Sequence, residues 1–129
     1  MNNFILDTHT FIWWVDDSPK LSSKAKKIIA DMDNECFLSL VSSWEMAIKC
    51  SIEKMRLTLP VEEYIPQHMA RNNFKQLPIS FRHVSRVETL PLHHRDPFDR
   101  LLAVQAMTEK MRLISADPSF DLYEIERIW

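Results

Sequence analysis

The chain has 129 residues, a length that suits one domain. It is 46% apolar and 26% charged, an ordinary balance for a folded protein rather than a disordered one. It contains 0 glycines where average usage would place about nine, which excludes a glycine-rich phosphate loop, a dinucleotide fingerprint and a G-x-S-x-G nucleophile elbow, since each needs a residue without a Cβ. Lys plus Arg number 16 and Asp plus Glu 18, so the formal charge of −2 lacks the basic signature of bulk nucleic-acid binding. Two bound divalent cations would bring four positive charges and turn −2 into +2. Cys36 and Cys50 sit among apolar neighbours with no zinc-ligand spacing, which reads as free thiols in a reducing compartment. The first seven residues carry no basic flank, and no apolar run approaches the ~20 residues of a membrane span. The expected location is the cytoplasm, away from membranes.

In chain order, residues 3–7 are a short apolar run ending in Asp7. Phe11 to Val15 reads as a buried helical turn stopped by Asp16-Asp17-Ser18-Pro19. Leu21, Ala25, Ile28, Ile29 and Met32 repeat at helical spacing with lysines opposite. Cys36 to Val41 is a strand by length. Trp44, Ala47, Ile48, Ser51 and Ile52 mark a second amphipathic helix, and Val61, Tyr64, Ile65, His68 and Met69 a third. Phe74 to Ile79 is a weaker strand, followed by a helix from about Phe81 to Glu88. Pro97 to Lys110 is apolar nearly all round and predicts a central, heavily buried helix. Met111 to Ser115 and Tyr123 to Trp129 complete the strands. Strands alternating with helices predict an α/β fold, with a mostly parallel sheet of about four or five strands, for residues 1–129 as a single domain.

Four acids fall in corresponding places. Asp7, Glu45 and Asp117 each follow a predicted strand, and Asp99 lies in the first turn of the central helix. The carboxyl ends of parallel strands share one edge, where ligands bind, so acids distant in sequence converge there. Clustered carboxylates resist joint ionisation unless a cation sits between them, and a hard divalent ion with oxygen ligands is the natural partner. Each acid also has a local reading. Ser42 to Glu45 has the spacing of a capping box, Asp96-Pro97 reads as a helix cap with proline at the first helical position, and Asp117-Pro118 reads as a turn or cap. Asp7 is the least easily explained that way, because a charge ending a buried strand is costly unless paired or ligated.

Four segments carry a resemblance: Phe-Ile-Leu-Asp-Thr-His-Thr-Phe-Ile-Trp-Trp (4–14), Ser-Ser-Trp-Glu-Met-Ala-Ile-Lys (42–49), His-His-Arg-Asp-Pro-Phe-Asp-Arg-Leu-Leu (93–102) and Leu-Ile-Ser-Ala-Asp-Pro-Ser-Phe (113–120). In order and spacing they resemble the PIN domain and, more narrowly, the VapC-type ribonuclease toxins of bacterial type II toxin–antitoxin modules. The resemblance covers residues 4 to about 123. It implies a three-layer α/β/α fold and a Mg2+- or Mn2+-dependent endoribonuclease leaving a 5′-phosphate and a 3′-hydroxyl. It assigns Asp7, Glu45, Asp99 and Asp117 to catalysis and metal binding. Thr8 and Ser115 become hydroxyls beside the metal, and Asp96 either supports the site or caps the helix. The resemblance also implies an RNA substrate, a homodimer, and an antitoxin protein that fills an apolar groove.

Lys49, one helical turn beyond Glu45, is read either as an i,i+4 ion pair or as a phosphate contact. Arg95 and Arg100 are candidates for the RNA backbone or for structural charges. His9, His93 and His94 are left out of the metal set. Trp13 and Trp14 are adjacent, so one helix face cannot bury both, and one of them is expected on a partner surface. Relatives often carry glycine where this chain has Glu53, and a glycine there would end the helix in a left-handed turn. A haloacid-dehalogenase loop is excluded because His9 stands where its second acid is needed. The alternative function is a catalytically idle PIN-like module that only binds RNA or protein.

Overall fold

Short apolar runs between amphipathic helices set the architecture, which the computed structural model describes for residues 2–129. The strands are β1 (Asn3–Leu6), β2 (Glu35–Ser39), β3 (Lys75–Leu77), β4 (Arg112–Ile114) and β5 (Arg127–Ile128). They form one sheet in the order β3-β2-β1-β4-β5, with every pairing parallel. The helices are α1 (Thr8–Val15), α2 (Ser23–Ala30), α3 (Leu40–Ser51), α4 (Val61–Asn72), α5 (Phe81–Arg86) and α6 (Pro97–Glu109).

The strands alternate between two cores, as a sheet buried on both faces requires. Phe4, Leu6, Leu38 and Ile114 pack on one side with Phe11, Ala25 and Tyr64 of α1, α2 and α4. Ile5 and Leu113 pack on the other with Leu102, Ala103 and Ala106 of α6. This is the expected three-layer α/β/α fold. Residues 101–106 of α6 are all buried, as its all-round apolar sequence predicts. Cys36 and Cys50 are free thiols, and burial pushes Cys36 up to about 11. Among the described residues no helix is long and apolar enough to cross a membrane.

The chain runs outward from β1 through β2 to β3 on one side, then returns to β4 on the other side of β1. The switch point therefore lies between β1 and β4, where Leu6 pairs with Ile114. The Asp7 N–H and the Thr10 hydroxyl both donate to the Ile114 carbonyl, at 3.1 and 2.9 Å, and lock the start of α1 over the end of β4.

Several boundaries differ from the sequence reading. β2 stops at Ser39 rather than Val41, because the Ser39 hydroxyl accepts the Val41 N–H at 3.0 Å and starts α3 there. The expected helix over 81–88 ends at Arg86 and finishes in a tighter 3-10 turn, Val87–Thr89. The last strand is two residues long, since Tyr123 is drawn into the core beside α6 instead. Trp13 and Trp14 both find partners within the chain. Trp13 packs on Trp129 with ring centroids 5.8 Å apart, and the Trp14 indole N–H donates to Asn72 Oδ1 at 2.9 Å.

A chain without glycine still needs left-handed turns, and Asp17, Glu53, Asn73 and Lys110 supply them with φ of 50–59°. At the end of α3 the Glu53 N–H donates to the Cys50 carbonyl at 3.2 Å and the Lys54 N–H to the Lys49 carbonyl at 2.8 Å. That is a complete Schellman motif with a glutamate at the position glycine favours. The left-handed conformation costs a residue with a Cβ about 1–2 kcal/mol, while glycine loses about 0.4–1 kcal/mol more backbone entropy on folding. Glu53→Gly is therefore expected to stabilise the protein by about 0.5–1 kcal/mol in urea unfolding. The same change at exposed, mid-helical Lys27 should destabilise it by about 1 kcal/mol.

Candidate active site

A pocket of about 280 Å3 opens at the carboxyl edge of the sheet, and Asp7, Glu45, Asp96, Asp99 and Asp117 all line it. Asp7 continues directly from β1 and caps α1, its Oδ1 accepting the Thr10 N–H at 2.8 Å. Asp96 caps α6 in the same way, with Oδ1 accepting the Phe98 N–H at 2.8 Å. Asp117 follows β4 and caps the 3-10 turn Pro118–Leu122, with Oδ1 accepting the Ser119 N–H at 2.9 Å. Capping a helix or turn and lining the pocket are thus not competing roles. Each cap bond uses one carboxylate oxygen and fixes the orientation of the other. Asp7, singled out in the sequence as the acid least like a cap, is a cap as well.

Glu45 is positioned differently. The expected capping box from Ser42 to Glu45 does not form, because α3 already begins at Leu40 behind its cap Ser39. Ser42 lies inside the helix with its hydroxyl buried and unpartnered, and Glu45 points into the pocket from the second turn. The Thr8 hydroxyl donates to Glu45 Oε1 at 2.6 Å, so Thr8 does not cap α1. The Lys49 ammonium pairs with Glu45 Oε2. Partial burial pulls Lys49 down, but that hydrogen bond and the charges of Glu45, Asp96 and Asp99 outweigh it and raise the ammonium above its usual value.

The electrostatics follow from crowding. The lining carries five carboxylates and one ammonium, Lys49. Burial pushes the Asp7 carboxyl up, against the pull of the Ser115 hydroxyl and the Thr10 groups. Asp99 is pushed up to about 6, first by burial and then by the negative charges of Asp96, Glu45 and Asp117, with His94 pulling the other way. Asp117 is desolvated too, yet its bonds from His94 and Ser119 hold it below the usual range. Ser115 is fully buried, and its hydroxyl also accepts the Asp117 N–H at 3.1 Å.

His94 was passed over in the sequence and belongs to this site. Its Nε2 lies 2.9 Å from Asp117 Oδ2, and ligand atoms of His94, Asp99 and Asp117 all fall within 4.8 Å of one another. It lies within the 93–102 segment of the resemblance, but its role is set by partners from residues 117–123. Hard carboxylate oxygens and an uncompensated negative charge suit a hard divalent cation. His9 also lines the pocket, with its ring against Trp13. Arg95 is exposed beside the cap of α6. Arg100 makes the contacts of a structural charge. It donates to the carbonyls of Val87, Leu90 and Pro91, each at 3.3 Å, and latches the 87–91 turn onto α6.

The family profile described as the PIN domain matches residues 4–126. A curated relative, Ribonuclease VapC22 of Mycobacterium tuberculosis, is 27% identical over 118 residues, covering 91% of this chain and 88% of its own. Among solved structures, VapBC2 from Rickettsia felis bound to a promoter DNA fragment superposes with a TM-score of 0.68 at 13% identity, covering 98% of this chain and 97% of that one. A toxin–antitoxin complex from Klebsiella pneumoniae gives 0.62 at 15% identity, over 97% and 95% of the two chains. The chain belongs to the PIN domain family.

Ionised Asp99 opposes folding. With its carboxyl raised from 3.8 to about 6, the penalty is full above pH 6 and disappears as the pH falls toward 3.8. In metal-free protein at pH 7.5, Asp99→Asn is expected to raise stability by about 1–2 kcal/mol, after allowing for the lost attraction to the helix dipole. Thermal melts at pH 7.5 and 4.5 check this, and the gain should shrink at the lower pH.

Proposed function

We propose that the protein is a Mg2+- or Mn2+-dependent endoribonuclease and the toxin of a type II toxin–antitoxin pair, acting in the cytoplasm. The observation that carries this reading is the meeting of Asp7, Glu45, Asp99 and Asp117, from four separate parts of the chain, in one pocket with too little positive charge to balance them. The similarity to Ribonuclease VapC22 and to toxin–antitoxin complexes supports RNA as the substrate and an antitoxin as the partner. Assembly as a homodimer is part of the same proposal.

Asp7, Asp99 and Asp117 would hold the divalent ion. When bound, the ion would lower the pKa of a water and offset the charge that builds on the phosphoryl oxygens during in-line attack. The side chains prepare that step. Asp7 and Asp117 are held facing the pocket by their caps, and the second oxygen of Asp117 is held by His94 as well. Glu45, clamped between Thr8 and Lys49, faces the pocket as the group that orients water. Lys49 supplies positive charge at the pocket wall for a phosphate, and exposed Arg95, next in the chain to Asp96, is an RNA-backbone contact.

The test is cleavage of a panel of structured RNAs by wild type and Asp7→Asn. Asparagine keeps the cap, so the variant should fold with nearly unchanged stability. Its cleavage should fall by at least about 100-fold, and EDTA should abolish wild-type cleavage until Mg2+ or Mn2+ is restored. Cleavage undiminished by EDTA would refute metal dependence. Full growth inhibition by Asp7→Asn in cells would favour the idle binding module.

A further inference from the structure

His94 is held on every side. Its ring lies 5° from the plane of Tyr123 and 4.5 Å from the Phe120 ring centroid. Nδ1 is 2.9 Å from the Tyr123 hydroxyl and Nε2 is 2.9 Å from Asp117 Oδ2. The other oxygen of Asp117 takes the Ser119 N–H. With one bond on each oxygen, the Asp117 carboxylate cannot turn about its Cβ–Cγ bond without losing one of them. Each oxygen still keeps a lone pair for a cation.

We infer that His94 is the positioning residue for Asp117, and that Tyr123 sets it for that task. The Tyr123 O–H donates to Nδ1, which leaves the ring hydrogen on Nε2, facing the carboxylate. The chain Tyr123–His94–Asp117 then holds the acid at the distance from Asp99 that a shared ion needs. Outer partners that orient a ligating carboxylate commonly account for about 10–100-fold in metal affinity. This inference rests on the reading of the pocket as a divalent-metal nuclease site.

The experiment measures Mg2+ and Mn2+ binding to the full chain by calorimetry and by metal-dependent thermal shift, beside RNA cleavage. His94→Leu should weaken both ions together by about 10–100-fold, with kcat lowered and KM for RNA unchanged. His94→Gln, which keeps an N–H donor, should recover much of the loss. Tyr123→Phe, which leaves the imidazole in place, should weaken both ions by at least about 3-fold. Should His94→Leu fail to fold, Tyr123→Phe and His94→Gln carry the comparison. Wild-type affinities in folded His94 and Tyr123 variants would overturn the inference alone. Selective loss of Mn2+ with Mg2+ retained would also overturn it, and would make His94 a nitrogen ligand. Failure of the wild type to bind either ion would remove the nuclease reading and this inference with it.

Discussion

Five carboxylates share one small pocket, and mutual repulsion among them is the constraint around which the structure is arranged. Like charges in a partly desolvated space oppose one another and favour the neutral acid. Asp99 shows this most directly, since burial and three neighbouring acids act on it without a hydrogen bond in compensation. Helix and turn caps absorb part of the strain. A cap is worth about 1 kcal/mol, and Asp7, Asp96 and Asp117 each make one. The capping N–H groups favour the ionised carboxylate and hold it at a fixed angle. Local backbone needs therefore keep in place the groups that electrostatics alone would push apart.

The sheet supplies the convergence. Because β1 lies between β2 and β4, its carboxyl end meets the return of the chain at the switch point, and Asp7 and Ser115 become neighbours. A buried polar chain keeps the two flanking helices in register with this edge. The Ser39 hydroxyl, which caps α3, donates to Gln105 Oε1 in α6. Gln105 donates in turn to the Pro78 carbonyl at 3.1 Å, and His83 nearby meets Glu109 at 2.9 Å. Glu45 and Asp99 ride on the helices joined in this way. Satisfied buried networks of this kind select one arrangement of packed elements over others.

The absence of glycine leaves its own mark. Four residues with a Cβ occupy left-handed conformations, and the Schellman motif after α3 is built with Glu53. The turn forms with a Cβ present, held by the hydrogen bonds of Glu53 and Lys54.

Much of the architecture was legible in the sequence. Short apolar runs and helical period placed the strands and helices, and the acids stood out because each followed an apolar run or opened a helix. Boundaries were less readable where two rules competed. Leu40 and Val41 look like strand residues, and only the Ser39 cap turns them into helix, which then moves Glu45 from a capping position to the second turn. Arg100 carries the same charge as Arg95 in the sequence, and only the three carbonyls around it reveal a structural latch. His94 was left out of the metal set, since its partners Asp117 and Tyr123 lie 23 and 29 residues away. The sequence by itself determined the α/β class, the strand-end acids and the exclusion of glycine-cradled phosphate chemistry, because periodicity, caps and composition are local properties. Which acids face one another, which charge is free and which histidine joins them were decided only by tertiary structure, because those contacts depend on strand order and on distances that no local pattern encodes.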